Sequence, residues 1–120
     1  MTDSRLPLQS CSYTEEAFGL LGKRWTGLLI DLLLQRSARF NELHAALPTL
    51  SKRVLSERLT ELQNVGVVER EVDPGPPITA TYRLTERGRA LGPAMDSLRV
   101  WAGAPVDSRG RPIPPNAALD

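Results

Sequence analysis

Two amphipathic segments separated by a three-residue break constrain this chain more than anything else in it. Residues 40–47 read FNELHAAL, then come Pro48, Thr49 and Leu50, and residues 51–66 read SKRVLSERLTELQNVG. The residue before a proline is pushed out of the α region, so Pro48 ends a first short helix. Ser51 stands where an N-cap is needed, with a hydroxyl able to accept from an unpaired amide of the next turn. Leu50, just before that cap, and Leu55, one turn inside, close a hydrophobic staple. Gly66 ends the longer helix because glycine takes the left-handed conformation without strain. Within this helix Leu55, Leu59 and Leu62 form one stripe that must face a core. Arg53, Ser56, Glu57 and Thr60 occupy the opposite side, with Lys52 at its edge. Short polar and cationic residues at the start of the second helix of a helix-turn-helix suit base edges and phosphates. A merely solvated helix face gives the same pattern, so context has to decide.

The next residues supply that context. Residues 67–73 and 78–84 are strand-like runs around Pro74, Gly75, Pro76 and Pro77, which predicts a hairpin. In the second run Ile78, Ala80, Tyr82 and Leu84 alternate with Thr79, Thr81 and Arg83. A helix-turn-helix followed at once by a hairpin is a winged helix, a mainly α fold whose wing lies over the DNA backbone. The net charge of +1 does not announce a nucleic-acid partner, but from Lys23 to Arg58 seven Lys/Arg face three acids. A basic centre of this kind fits a surface turned toward DNA.

Residues 1–10 show no pattern and read as a flexible arm. Residues 12–15 (SYTE) have capping-box spacing and open a helix carrying Tyr13, Ala17, Phe18, Leu20 and Leu21, closed by Gly22. Residues 23–35 form a second helix with Trp25, Leu28, Leu29, Leu32 and Leu33 toward the core. Residues 37–39 are a short extended link or a first strand. Thr85 caps a final helix reaching about residue 102, apolar at Leu91, Leu98 and Trp101 and kinked at Pro93. That apolar stripe lies beyond the winged unit and needs a cover, for which the first helix of a twin chain is expected. The domain therefore runs over residues 11–103, and residues 104–120 are a mobile proline-rich tail. No run is long enough for a membrane helix and no signal-peptide pattern opens the chain, so the cytoplasm is expected. The single cysteine, Cys11, excludes an intrachain disulfide and cannot by itself hold zinc; no metal or cofactor is expected. His44 is the only histidine, and without an acid pair, a Ser/His/Asp set or a phosphate loop no enzyme is expected.

Several words in this order resemble the HxlR-type family of bacterial winged-helix regulators. They are residues 20–25 (LLGKRW), 39–43 (RFNEL), 51–62 (SKRVLSERLTEL), 66–70 (GVVER) and 82–88 (YRLTERG), with Trp101 at the end. The spacing holds from Cys11 to about residue 102. Within that family the chain is most similar to the YodB-like thiol-based sensors, which repress detoxification genes and carry a cysteine where Cys11 stands. The resemblance implies a homodimer joined through its first and last helices, with double-stranded operator DNA as partner. Two recognition helices would lie in successive major grooves, and a quinone or another electrophile or oxidant would release repression. Two departures stand out: the tail lacks the further cysteines of some relatives, and the wing tip lacks Lys and Arg.

The residues expected at the DNA are thus Ser51, Lys52, Arg53, Ser56, Glu57 and Thr60, with Arg39 and the wing's Thr79 and Thr81. Those expected in the dimer interface are Tyr13, Phe18, Leu91, Leu98 and Trp101. Cys11 has two readings. One is a small apolar residue packed under the first helix; the other is a sensor thiol whose thiolate is favoured by the amides of a helix N-terminus, with Lys23 and Arg24 adding positive potential if they fold nearby. Two rival readings remain for the whole chain. One is a regulator with a non-covalent ligand in the dimer cleft, where Trp25 and Trp101 could line an aromatic pocket. The other is a winged helix used for protein contacts alone.

Overall fold

A computed structural model describes residues 5–115. The first four residues of the expected arm and residues 116–120 of the expected tail lie outside the described residues. Six helices and one hairpin follow in the order α1 (Ser12–Leu21), α2 (Thr26–Gln35), α3 (Phe40–Ala46), α4 (Lys52–Asn64), β1 (Val68–Asp73), β2 (Thr79–Leu84), α5 (Glu86–Arg89) and α6 (Gly92–Trp101). This is the winged helix-turn-helix that the two amphipathic segments and the hairpin predict.

The core is built where apolar stripes meet. Leu29, Ile30 and Leu33 of α2, Leu43 of α3, Leu50 of the turn and Leu55, Leu59 and Leu62 of α4 are all buried together with Val67, Val68 and Leu84 at the root of the hairpin. Each fully buried leucine contributes about 2 kcal/mol, so the turn is held mainly by these contacts. Local bonds set its geometry. Ser51 Oγ accepts from the Val54 amide at 3.1 Å. At Gly66 φ is 76°, and the Val67 amide donates back to the Leu62 carbonyl at 2.9 Å, which turns the chain straight into β1. β1 and β2 pair antiparallel from Val68↔Leu84 to Asp73↔Thr79. The extended link at residues 37–39 contributes a single bridge, Ala38 to Tyr82, rather than a strand.

Five details differ from the sequence reading. Ser12 is not the cap of α1; Cys11 is, with extended backbone at φ −88° and ψ 125°. The second helix starts at Thr26, because Trp25 takes the left-handed φ of 79° and interrupts it. Leu28 is 51% exposed and Ile78 76% exposed, since the core ends before either of them. The final helix is not kinked at Pro93 but broken before it. Thr85 Oγ accepts from Gly88 N to cap α5, the chain turns at residues 90–91, and Pro93 enters the first turn of α6. There its missing N–H costs nothing, whereas one turn further in it would remove a bond and clash. The tail up to residue 115 also takes a definite turn. The Asp107 carboxylate accepts from the Arg109 and Arg111 amides at 2.8 and 3.0 Å, and Val106 bridges Pro112.

The corner between hairpin and α5 is tight. Thr85 Oγ donates to the Gly66 carbonyl, and a Cβ on buried Gly88 would collide with the Val67 carbonyl and crowd Leu84. Gly88→Ala is expected to lower stability by about 1–3 kcal/mol through overpacking. Ser51→Ala is expected to cost about 1 kcal/mol through the lost cap. Urea unfolding followed by circular dichroism checks both; an unchanged midpoint for either would remove the assigned role.

Candidate nucleic-acid interface and thiol site

The packing of Leu55, Leu59 and Leu62 turns the other face of α4 outward. Ser51, Lys52, Arg53, Ser56, Glu57 and Thr60 are all exposed on it. Arg53 Nη1 lies 3.0 Å from Glu57 Oε1, one turn on, which aligns the guanidinium along the helix while its side chain stays 81% exposed. Thr60 Oγ1 donates to the Ser56 carbonyl at 3.0 Å, and both residues are exposed. Lys52 makes no ion pair among the described residues and stands at the first turn of the helix. An arginine–glutamate pair, two hydroxyls and a lysine at a helix N-terminus offer donors and acceptors to base edges and a cation to phosphate.

The other expected DNA residues are not gathered on this face. Arg39 is exposed just before α3, where its amide donates to Glu42 Oε1 at 2.9 Å. The second Glu42 oxygen takes Arg36 Nη2 at 2.7 Å, and this guanidinium with the Arg39 amide holds the carboxyl down at about 2. Thr79 and Thr81 sit on β2, half-buried, directly opposite Asp73 and Glu71. Arg83, the cation of that strand, is held between Glu69 at 2.6 Å and Glu71 at 3.1 Å. The one cation of β2 is thus held by carboxylates, whereas Arg70 of β1 is exposed and makes no ion pair among the described residues.

Cys11 is a free, exposed thiol. The packed reading is therefore set aside. Its sulfur closes no full cap bond on α1. The Thr14 hydroxyl and the first-turn amides of Thr14 and Tyr13 nonetheless face it, and they hold its pKa below the ordinary cysteine value. Lys23 and Arg24 do not contribute, because they follow the far end of α1. Lys23 pairs with Glu61 at 3.2 Å, and the Arg24 guanidinium lies 4.9 Å over the Trp25 ring. α1 itself buries no residue. Tyr13 is 82% and Phe18 67% exposed, and on α6 Leu98 and Trp101 are 53% and 86% exposed. Leu91 differs from these four. It precedes α6 and turns inward, half-buried against the core.

The sequence reading missed the contacts that cross the chain. Arg99 of α6 pairs with Asp31 of α2 and with Asp96. Arg58 of α4 donates to the carbonyl of Arg24, 34 residues earlier. The i,i+3 spacing of Arg58 and Glu61 was a visible signal for one part of this; nothing local announces the rest.

A helix-turn-helix with an outward polar face on its second helix, followed by a hairpin, defines a winged-helix transcriptional regulator that binds DNA. Residues 20–109 match the HxlR-like helix-turn-helix family, and the chain belongs to it. It is 46% identical over 99 residues to the uncharacterized HTH-type transcriptional regulator YvaP of Bacillus subtilis, covering 82% of this chain and 92% of that one. It is 44% identical over 92 residues to the HTH-type transcriptional regulator YodB of the same organism, covering 77% and 82%. The reduced form of YodB superposes with a TM-score of 0.72 at 42% identity, over 78% of this chain and 92% of that one. Its diamide-treated and quinone-bound forms superpose with TM-scores of 0.68 each, at 42% and 41% identity, over 79% and 78% of this chain and 94% and 97% of theirs. The redox regulator HypR in its reduced form gives 0.72 at 33% identity, over 75% and 89%.

The Glu42 site has a pH signature. Its carboxyl titrates at about 2 in the folded chain, below the unfolded glutamate value of about 4.3. The pair is exposed, so the stabilisation it brings is small; it is complete above that unfolded value and is lost as pH falls toward 2. Glu42→Gln should therefore flatten the acid limb of a melting-temperature profile relative to the parent, between about pH 4.5 and 2. A variant whose acid limb runs parallel to the parent's would show that the Arg36 pair contributes nothing.

Proposed function

We propose that this chain is a homodimeric repressor, released from operator DNA when an electrophile or oxidant modifies Cys11. The observation that carries this is the exposed thiol of lowered pKa at the N-cap of α1, a helix that buries nothing of its own. A ten-residue helix is marginal in isolation, and exposed Tyr13, Phe18, Leu98 and Trp101 provide the apolar surface for a twin chain to cover. The similarity to YodB, solved in diamide-treated and quinone-bound forms, supports the same chemistry here. The unit that does this is residues 11–103, working in the cytoplasm where its operator lies. With one thiol per chain, the products are a quinone adduct, a mixed disulfide with a small thiol, or a Cys11–Cys11 bond between subunits. An adduct at the start of an interface helix forces the interface to repack in a step. Two recognition helices about 34 Å apart would then lose their common register with the groove.

A second reading has its own observation. A groove of about 770 Å³ runs between α1, the end of α4 and α5, lined by Tyr13, Leu20, Val65 and Leu91 among others. Neither Trp25 nor Trp101 lines it, so it is not the aromatic pocket expected of them; a non-covalent ligand seated there would give a response that survives loss of the thiol.

At the DNA, Arg53 with Glu57, Ser56 and Thr60 would read base edges; Ser51, Lys52 and Arg39 would meet phosphate, with Thr79 and Thr81 as weaker wing contacts. Arg53→Ala is expected to cost about 1–3 kcal/mol and relax base preference. Lys52→Ala should weaken binding to all sequences and reduce the salt slope by about one unit. Gel-shift titrations at several salt concentrations check both, and parent-like behaviour of both variants would remove α4 as the reader.

The switch is tested on protein bound to its operator. The parent treated with diamide or benzoquinone should be released while Cys11→Ser stays bound, with mass spectrometry finding the modification on the parent alone. The modification rate should reach its half-maximum at a pH below the ordinary cysteine pKa of about 8.5. Equal release of both proteins would overturn the thiol switch and favour the groove.

A further inference from the structure

The joint between α1 and α2 is bonded to one flank of α4. Arg58 Nε donates to the carbonyl oxygen of Arg24 at 3.1 Å. Arg58 Nη1 lies 3.2 Å from Glu61 Oε1, and the other Glu61 oxygen lies 3.2 Å from Lys23 Nζ. The chain that receives these bonds is strained. Trp25 holds φ at 79°, a conformation bulky residues adopt only when their surroundings over-determine it. Its ring packs partly into the core, and the next residue, Thr26, is fully buried.

An exposed ion pair alone would carry no argument, because such pairs contribute little. This group differs in three ways. The Arg58 side chain is 20% exposed where Arg53 on the same helix is 81%. Arg58 also binds a backbone carbonyl, which fixes position as well as charge. Third, α1 has few other holds on the winged unit: Leu20 and Leu21 at its end, and a loose 3.9 Å pair between Glu16 and Arg87. At helical spacing, positions 58 and 61 fall between the leucine stripe and the outward face. The bonds on this flank tie α4 to the chain that follows α1 and leave Leu55, Leu59 and Leu62 in the core.

We propose that Lys23, Arg58 and Glu61 are positioning residues, which fix the angle at which the winged unit carrying α4 sits against α1 and so set the spacing between the two half-sites the dimer accepts. The inference rests on the homodimer reading above. It is independent of the thiol chemistry, although a clamp of this kind is also the route by which displacement of α1 would reach α4.

The test uses the full chain and a two-half-site operator selected from random duplexes. Affinity is measured for the parent, Glu61→Gln, Lys23→Gln, Arg58→Gln and the control Arg109→Gln, in the tail. The targets are a single half-site and a ladder of operators whose spacing changes one base pair at a time. The expected result is unchanged single-half-site binding for all proteins. The three clamp variants should lose about tenfold at the parent's preferred spacing and accept neighbouring spacings more evenly, because the second half-site binds intramolecularly and depends on geometry. Arg109→Gln should keep the parent profile. If Arg58→Gln fails to fold, the two variants at more exposed positions decide. A parallel loss on single and paired half-sites would make the residues structural or DNA-contacting and overturn the proposal, as would parent profiles throughout. Sedimentation separates the two readings: a monomeric parent overturns the dimer and the spacing role together, whereas a dimeric parent with unchanged variant profiles overturns the clamp alone.

Discussion

Burial of the leucine stripe on α4 is the constraint on which the rest depends. Leu55, Leu59 and Leu62 are at most 1% exposed, and they touch a core shared by α2, α3 and the root of the hairpin. Because a helix has one azimuth for each residue, seating these three side chains leaves no choice about where Arg53, Ser56 and Thr60 go. Core and outward polar face are two consequences of one packing event. The turn bonds at Ser51 and Gly66 adjust the entry and exit of this helix, but the apolar contacts decide its rotation to within the play that its flanks allow.

The parts of the fold legible in the sequence were those written in local chemistry. Ser51, Gly66, the α4 stripe and the Pro/Gly break of the hairpin each have a signature within a few residues, and each took its predicted role. The departures came from places where distant residues outvote local pattern. Residues 12–15 have capping-box spacing, yet the helix opens one residue earlier, on Cys11. Residues 23–25 look helical, yet Trp25 leaves the helical region where its ring meets the core and Arg58 binds the preceding carbonyl. Pro93 reads as a kink only if the helix is continuous; the corner at Gly88 and Thr85 breaks it first. The tail's composition hid the Asp107 turn, which depends on one carboxylate and two amides rather than on any apolar pattern. For the candidate site, the residue types on α4 were legible, while their pairings and the inward turn of Leu91 were not.

Charge is distributed in a way that composition alone conceals. Several of the arginines that raise the central balance are already paired. Arg36 holds Glu42, Arg58 holds Glu61, and Arg83 in the wing holds Glu69 and Glu71. A cation held by a neighbouring carboxylate adds little to the field felt by a phosphate. Lys52, at the start of α4, makes no ion pair among the described residues, and the helix amides there add to its charge. A nearly neutral protein can in this manner present a local basic end without a basic surface.

The exposure of α1 has a consequence for the chemistry of Cys11. The amides that lower its pKa face the sulfur only while the first turn of α1 is wound. A helix of this length that buries none of its residues unwinds readily unless something covers it. Thiol acidity is then tied to the winding of a single turn: whatever frays residues 12–14 returns the sulfur toward an ordinary cysteine, and whatever holds that turn keeps it reactive.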